Sequence, residues 1–344
     1  MKMCSNCNKF YNEENNSNTN FCPYCGKKYE ENTNNYKQCK KCNSIYALKE
    51  NDESNFCPFC GEKFEEENTS ENNASTFELD HYENKRKYTL CFALYFVLFY
   101  GGSIIVSIIA SFLWLAINNL NSIDQSNPLF EKYSIDVTAW YNFGTYILVM
   151  LVLIPLTFNI IKKDFINFKT NPGNNFKWFG FGVLIMYGGI IISSKIVKIL
   201  SFNLVPGDSA NQELIVSILK SGGINMILMS FMTVIFAPII EEIVFRKCLF
   251  GLFKKNTIKT VILSTIIFAG IHTIPTCIEL LPGVIAGDNK FTDLYLEFIY
   301  IFQYLGQAFA LAFVYHKTKG NLIPCIMIHF LNNFISILGT LFLY

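Results

Sequence analysis

The chain of 344 residues is 51% apolar, 16% aromatic and 16% charged, and its formal net charge is +1. An ordinary soluble domain is about 25% charged. The composition therefore excludes an all-soluble enzyme, a disordered protein and a collagen-like chain, and the small net charge gives no reason to expect a nucleic-acid partner. Residues 1–87 hold almost half of the Asp, Glu, Lys and Arg residues, which predicts a polar head in front of a membrane body.

Eight of the twelve cysteines form a duplicated pattern in the head. In each copy a CxxC pair is followed, after fourteen residues, by CPxCG. The two copies contain Cys4, Cys7, Cys22 and Cys25, then Cys39, Cys42, Cys57 and Cys60. Four thiolates suffice for a tetrahedral structural zinc site. Disulfides are the alternative, since a segment of about 30 residues with little hydrophobic core needs a cross-link to fold stably. No secretory signal precedes the first cysteine, which favours a reducing compartment and zinc.

These two units resemble zinc ribbons, and the CPxCG knuckle carries the resemblance. We expect ribbons at 1–30 and 36–64, each with one Zn²⁺, followed by a flexible polar linker at 65–87. Because all four ligand positions are filled, both sites are expected to be closed and structural. The ribbons would then serve as a recognition or assembly module for a cytoplasmic protein partner.

Seven stretches beyond residue 87 are long and apolar enough to span a bilayer. They run approximately over 88–117, 137–161, 178–200, 221–243, 258–278, 296–315 and 321–343. The predicted fold is therefore an all-α polytopic membrane protein with about seven transmembrane helices at 88–344, preceded by two small zinc-ribbon β modules.

The basic residues of the short loops predict the orientation of these helices. One set of flanks holds fourteen of them: Lys85, Arg86, Lys87, Lys162, Lys163, Lys169, Lys177, Arg246, Lys247, Lys254, Lys255, Lys259, Lys317 and Lys319. The opposite loops hold Lys132, Lys220 and Lys290, with Lys195 and Lys198 as possible additions. We therefore expect a cytoplasmic N-terminus and an outside C-terminus. The Asn-, Lys- and Ile-rich composition is typical of a bacterial chain, which places the protein in a plasma membrane.

Ionisable side chains inside a bilayer are costly and usually functional. The fourth stretch ends in APIIEEIVFRKCLF, which places Glu241, Glu242 and Arg246 near the end of a helix that Pro238 is expected to kink. Glu242 and Arg246 are one turn apart and can pair. Glu241 is rotated about 100° away and is free to face another helix.

Two later stretches carry histidines on helical faces. FAGIH places Phe268 and His272 on one face, and HFLNN does the same for His329 and Asn333. At about 1.5 Å per residue from the basic flanks, Glu241 lies roughly 9 Å deep, His329 roughly 14 Å and His272 roughly 20 Å. Each residue alone is equally explained by an ion pair or by helix packing. Together they predict a cavity in which a carboxylate and imidazoles activate water, with or without a metal.

Three motifs in this order resemble the CPBP intramembrane protease family, which includes the CAAX prenyl endopeptidases and the bacteriocin-immunity (Abi-type) proteins. The motifs are EE-x3-R, F-x3-H and H-x3-N, and the resemblance covers about residues 220–344. It implies that Glu241 and His272 prepare the attacking water, and that His329 and Asn333 support the oxyanion or a metal. A catalytic metal would be bound by Glu241, His272 and His329. The candidate catalytic residues are Glu241, Glu242, Arg246, His272, His329 and Asn333.

The resulting hypothesis is an intramembrane endopeptidase, with or without a catalytic metal, that cleaves a membrane-embedded peptide or protein. The alternative is a non-catalytic membrane scaffold or an immunity-type protein. A transporter is disfavoured because the sequence shows no inverted repeat or paired broken helices. The segment 279–295 is unusually polar, follows Pro275 and contains Pro282. The sequence therefore does not determine where the fifth helix ends.

The cysteine pattern predicts two tightly bound zinc ions in the fragment 1–64, whose fold should be lost on chelation because metal binding is coupled to folding. Changing Cys22 and Cys25 to Ser should remove one ion and leave the other, as measured by elemental analysis of the purified fragment. A fragment with four disulfides and no metal would refute the zinc prediction.

Overall fold

In the computed structural model the chain divides into two compact units, Met1–Asn72 and Asn73–Tyr344. The described residues are 2–3, 10–11, 36–38, 45–47, 60–61, 71–202, 204, 207–253, 257–288 and 291–343. Seven of the eight head cysteines are not among them, so the predicted zinc sites lie outside the described residues.

The N-terminal unit contains two antiparallel hairpins that follow the duplication of the sequence. Their strands are β1 (Lys2–Met3), β2 (Phe10–Tyr11), β3 (Tyr36–Gln38) and β4 (Ile45–Ala47). Lys2 is opposite Tyr11 in the first hairpin, and Lys37 is opposite Tyr46 in the second. These pairs occupy equivalent positions in the two copies, and a CxxC pair lies in sequence between the strands of each hairpin. The repeat is therefore present in the strand pairing, whereas metal binding stays a prediction.

Helix α1 (Glu71–Phe96) starts inside the segment 65–87, for which the composition predicted a flexible linker. Glu, Ala, Leu and Lys in this segment are good helix formers. A membrane span follows directly, and extending an existing helix costs far less than nucleating a new one. Residues 71–87 are therefore helical, and residues 65–70 lie outside the described part of the chain.

Seven helical spans among the described residues are long and apolar enough to cross a membrane. They are Asn84–Ile117, Phe130–Thr170, Pro172–Leu200, Gly223–Gly251, Ile258–Ala286, Phe291–Lys317 and Ile323–Phe342. The prediction of an all-α polytopic body is confirmed, and the chain is a multi-pass membrane protein. The orientation of its termini stays a prediction.

The spans are built from α-helices interrupted by π-helical segments. After α1 come α2 (Ser103–Ile117), α3 (Phe130–Thr170), α4 (Pro172–Leu200), α5 (Ala210–Lys220), α6 (Gly223–Phe231), α7 (Ala237–Glu242), α8 (Leu249–Gly251), α9 (Ile258–Ala286), α10 (Phe291–Ile299), α11 (Ile301–Lys317) and α12 (Ile323–Leu343). The π-helical segments are Val97–Gly102, Met232–Phe236 and Ile243–Cys248. Two of them flank α7, which carries the paired glutamates.

Helices α4 and α11 cross with their backbones in direct contact at Gly189 and Gly306. A Cβ added to Gly306 would lie 2.6 Å from the carbonyl carbon of Gly189, closer than real Cβ atoms approach. Small residues are what allows helices to come this close in a bilayer. Because α11 also packs against α9 and α12, this crossing fixes the position of the polar residues on α11.

The fourth span is longer than predicted, because the sequence placed its end at residue 243 and the helix continues to Gly251. Glu241 and Glu242 therefore lie inside the span and not at its end. Around them Ile240, Ile243 and Phe245 are fully buried and form the centre of the main hydrophobic core. The helix can continue through this charged stretch because its charged side chains are paired inside the protein.

Helix α9 also runs further than predicted. It continues through Pro275 and Pro282 to Ala286, and Gly287 ends it in the left-handed conformation at φ 83°. Proline removes one backbone hydrogen bond, and helices within membranes tolerate this loss. The polar connection expected at 279–295 is therefore limited to the few residues between α9 and α10.

A buried ion pair joins three parts of the fold near one end of the spans. Lys247 Nζ lies 2.8 Å from Asp164 Oδ1 and donates to the carbonyl oxygen of Gly320 at 3.1 Å. The other carboxylate oxygen, Asp164 Oδ2, accepts from the backbone N–H of Leu322 at 3.1 Å. This network ties α3 and the π-helical segment after α7 to the turn between α11 and α12.

Breaking this pair should destabilise the body. Asp164→Ala leaves the buried Lys247 ammonium without its counter-charge, a change that typically costs about 3–5 kcal/mol. The thermal unfolding midpoint in one detergent should therefore fall by several degrees. The matched control is Asp124→Ala, because Asp124 is exposed in a loop and its carboxylate hydrogen bonds to the neighbouring Ser126. Equal midpoints for the two variants would contradict a structural role for the pair.

Candidate active site

The Glu242 carboxylate contacts one residue of its own span and one residue of α12. Its Oε2 lies 3.1 Å from Arg246 Nε, and its Oε1 lies 2.9 Å from His329 Nδ1. Glu242 Oε2 and Arg246 Nε are not aligned for a hydrogen bond with each other. Their contact is therefore an ion pair without a hydrogen bond. Both Glu242 and Arg246 are 0% exposed. The pairing predicted from their one-turn spacing is present, and it extends to His329.

Arg246 is held by polar and aromatic contacts besides this pair. Its Nη1 donates to Ser264 Oγ at 3.0 Å, and Ser264 in turn donates to the carbonyl oxygen of Phe245 at 2.8 Å. The guanidinium carbon lies 4.7 Å from the centre of the Phe268 ring. A cation over a desolvated aromatic face is attracted by the ring quadrupole. Phe268, the first residue of the F-x3-H motif, therefore supports Arg246.

Glu241 faces away from this pair, as its rotation on the helix predicted. Its Oε1 accepts a hydrogen bond from the hydroxyl of Tyr146 on α3 at 3.0 Å. Its Oε2 lies 3.9 Å from His329 Nε2, beyond direct hydrogen-bonding distance. The Tyr146 bond thus fixes the carboxylate and leaves Oε2 available to a water molecule or a substrate.

The hydrogen bond of His272 determines which of its ring nitrogens is free. Nδ1 lies 2.8 Å from the carbonyl oxygen of Phe268. A carbonyl oxygen only accepts, so Nδ1 carries the proton, and Nε2 of the neutral ring keeps a lone pair. The imidazole also stacks on Tyr304, with ring centres 4.5 Å apart and planes at 24°. The hydrogen bond and the stacking therefore orient His272, and its Nε2 has no hydrogen bond within the described part of the chain.

Asn333 fills a gap in the backbone hydrogen bonding of the fourth span. In the π-helical segment the N–H of Ala237 bonds to the carbonyl oxygen of Met232 instead of that of Thr233. Pro238, the next possible donor, has no N–H. The free carbonyl oxygen of Thr233 accepts from Asn333 Nδ2 at 2.8 Å. Asn333 thus docks α12 onto the segment before the glutamates and keeps a second amide hydrogen.

The candidate residues surround a cavity of about 190 Å³ inside the membrane body. Four of the six line it: Glu241, His272, His329 and Asn333. Glu242 and Arg246 do not, and instead lie behind His329 and Phe268. The structure therefore divides the predicted set into four residues that line the cavity and two that do not.

The predicted ligands of a catalytic metal do not form a metal-binding group. Among the described residues, no three His, Cys, Asp or Glu side chains are placed together as ligands of one ion. Glu241 and His329 are close, but Glu241 is bound by Tyr146 and His329 by Glu242. We therefore assign no step of the chemistry to a metal.

Three residues that contact the site were not identified from the sequence. They are Tyr146, which binds Glu241, Ser264, which binds Arg246, and Tyr304, which stacks on His272. Hydroxyl-bearing residues are common in membrane helices, and none of the three belongs to a motif. One available signal was the spacing of Asn142 and Tyr146, which puts two polar groups on one face of an otherwise apolar stretch.

Residues 223–335 match the family model described as type II CAAX prenyl endopeptidase Rce1-like. The resemblance of this segment to the CPBP/CAAX protease family is confirmed. The CAAX protease-like segment, residues 223–335, carries all six candidate residues. Tyr146 reaches the site from α3, which lies outside the matched segment.

An uncharacterized protein of Mycoplasma capricolum subsp. capricolum is 34% identical to the chain over 162 residues. The aligned part is 46% of this chain and 41% of that protein, so the chain spans about two fifths of the length of the curated relative it matches. No solved structure matches the chain.

Proposed function

We propose that the protein is an intramembrane endopeptidase of the CAAX protease type, which hydrolyses a peptide bond of a membrane-embedded peptide or protein. The observation that carries this proposal is the cavity in which an oriented carboxylate and an oriented imidazole face the same space. In each group one atom is fixed by a hydrogen bond, and the other atom, Glu241 Oε2 or His272 Nε2, has no hydrogen bond to a described residue. Such a pair suits a water molecule that must be held and deprotonated.

In the proposed reaction, Glu241 takes a proton from a water that also donates to His272 Nε2. The resulting hydroxide attacks the carbonyl carbon of the scissile bond, and Glu241 returns the proton to the leaving amine nitrogen. Fixed donors in a site of low dielectric stabilise developing charge strongly, because they need no reorganisation. Asn333 can donate its second amide hydrogen to the oxyanion, and His329 can donate from Nε2 when that nitrogen carries a proton.

Glu242 and Arg246 act as positioning residues in this proposal. Glu242 holds His329 through Nδ1, and Arg246 balances the charge of Glu242 in a fully buried position. Removing Arg246 would leave a buried carboxylate unpaired, which is strongly destabilising. Loss of Arg246 is therefore expected to lower the amount of folded protein.

Glu241→Gln should abolish cleavage, because the amide lacks the basic carboxylate. Membrane insertion and folding should stay intact, because the amide keeps the shape of the side chain and its contact with Tyr146. Removing a general base typically costs about 10²–10⁴ in rate, and His272→Ala should be comparably damaging. The measurement compares new peptide termini in the membrane proteome of cells that produce each variant. Termini made by the wild type should be absent with Glu241→Gln.

The matched control is Glu279→Gln, which changes an exposed carboxylate on α9 outside the cavity and should leave the termini unchanged. If Glu241→Gln produces the same termini as the wild type, the proposed mechanism is wrong. If the wild type produces none, the non-catalytic scaffold becomes the better account.

A further inference from the structure

Beyond the catalytic residues, about half of the residues that line the cavity carry a carboxamide or a hydroxyl, and the others are apolar. Helix α12 carries a polar stripe in which His329, Asn333, Ser336 and Thr340 recur every three or four residues, and all of them line the cavity. From His329 to Thr340 the stripe extends about 16 Å at about 1.5 Å per residue. The polar surface therefore continues well beyond the place where the bond would be cut.

Other helices add carboxamides to the same cavity. Gln307 on α11 accepts from Asn332 Nδ2 at 3.3 Å through its Oε1. Asn142 on α3 and Gln212 on α5 also line the cavity, which brings carboxamides from four helices to one space. These carboxamide residues are only partly buried, so their polar groups can reach an occupant of the cavity.

Several of these groups have hydrogen-bonding capacity that no described residue uses. Gln307 Nε2 and the side-chain carboxamide of Gln212 show no hydrogen bond within the described part of the chain. Thr233 Oγ1, in the π-helical segment before the glutamates, is buried without a hydrogen-bond partner among the described residues. Donors and acceptors of both kinds are therefore available to an occupant of the cavity.

The charge of the lining restricts what the occupant can be. Among the described residues that line the cavity, Glu241 is the only Asp or Glu and none is a Lys or Arg. An anion such as a phosphate or a free carboxylate would meet no Lys or Arg among these residues, and His329 is already paired with Glu242. Burying an anion without a counter-charge is costly. An isoprenoid chain would leave the carboxamides and hydroxyls without partners. The main chain of a peptide, with alternating N–H and C=O groups, matches carboxamides that both donate and accept.

We propose that the carboxamide wall, formed by Asn142, Gln212, Gln307 and Asn332, binds the main chain of an extended, uncharged peptide segment next to the scissile bond. The inference rests on the proposed function and specifies its substrate. The bound segment is internal to the substrate, because no Lys or Arg among the described residues lines the cavity to pair with a terminal carboxylate.

The test uses the full chain in lipid nanodiscs and a photo-reactive probe. The probe is a pool of uncharged hexapeptides of Ala, Gly, Leu and Ser, N-acetylated and C-amidated, with one diazirine side chain each. Two comparison probes are the same pool with a free C-terminal carboxylate and a diazirine-bearing farnesyl thioether without peptide bonds. The yield of cross-links to α5, α11 and α12 is measured by mass spectrometry.

The amidated pool should label the wild type and Glu241→Gln equally, since binding does not need the base. Gln307→Leu and, independently, Gln212→Leu should each reduce labelling about fivefold to tenfold, as expected for losing one or two hydrogen bonds. The matched control Gln303→Leu lies one turn away on α11 and outside the cavity lining, so it should leave labelling unchanged. The carboxylate pool and the farnesyl probe should label these helices several-fold less.

Wild-type labelling of both Gln307→Leu and Gln212→Leu would overturn the inference, as would stronger labelling by the farnesyl probe than by the amidated pool. These outcomes are separate from failure of the proposed function. If the wild-type protein cleaves nothing but its labelling depends on Gln307, the carboxamide wall binds peptide and the protease proposal is wrong. If the protein cleaves peptide but its labelling does not depend on Gln307 or Gln212, the protease proposal stands and the inference about the carboxamide wall is wrong.

Discussion

The arrangement of the site depends on one buried carboxylate with two partners. Glu242 pairs with Arg246 on its own helix and with His329 on α12, and it is completely inaccessible. A buried charge is tolerated only when it is paired, so the position of α12 relative to the fourth span is strongly constrained. Through His329 the same carboxylate determines what faces Glu241. Glu242 therefore positions residues that line the cavity, although it does not line the cavity itself.

The π-helical segments around α7 complete this constraint. The first leaves the carbonyl oxygen of Thr233 free, and Asn333 binds it. His329 and Asn333 are one turn apart on α12, so one helix is fixed at two points, by Glu242 and by the backbone before Pro238. π-Helical segments are frequent at functional sites because they redirect side chains. Here they flank two adjacent glutamates with different partners: Tyr146 binds Glu241, whereas Arg246 and His329 bind Glu242.

Much of this arrangement could be predicted from the sequence, and the remainder has a physical reason. Hydropathy identified seven spans, and helical spacing predicted that Glu242 would pair with Arg246 while Glu241 faced elsewhere. The span containing them runs to Gly251 instead of residue 243, because pairing inside the protein lets charged residues continue a helix, which hydropathy does not reveal. Tyr146 and Tyr304 were missed because their roles arise from contacts between helices. The thiol ligands predicted for zinc lie almost entirely outside the described residues and stay predictions.

The central claim is that the adjacent glutamates have separate tasks, with Glu242 structural and Glu241 chemical. The most direct measurement is the thermal unfolding midpoint of purified Glu241→Gln and Glu242→Gln in one detergent. We expect Glu242→Gln to unfold several degrees below the wild type, because it leaves Arg246 buried without its counter-charge at a typical cost of about 3–5 kcal/mol. Glu241→Gln should unfold close to the wild type, because the amide oxygen still accepts from Tyr146. Equal losses in both variants, or a larger loss for Glu241→Gln, would contradict this division.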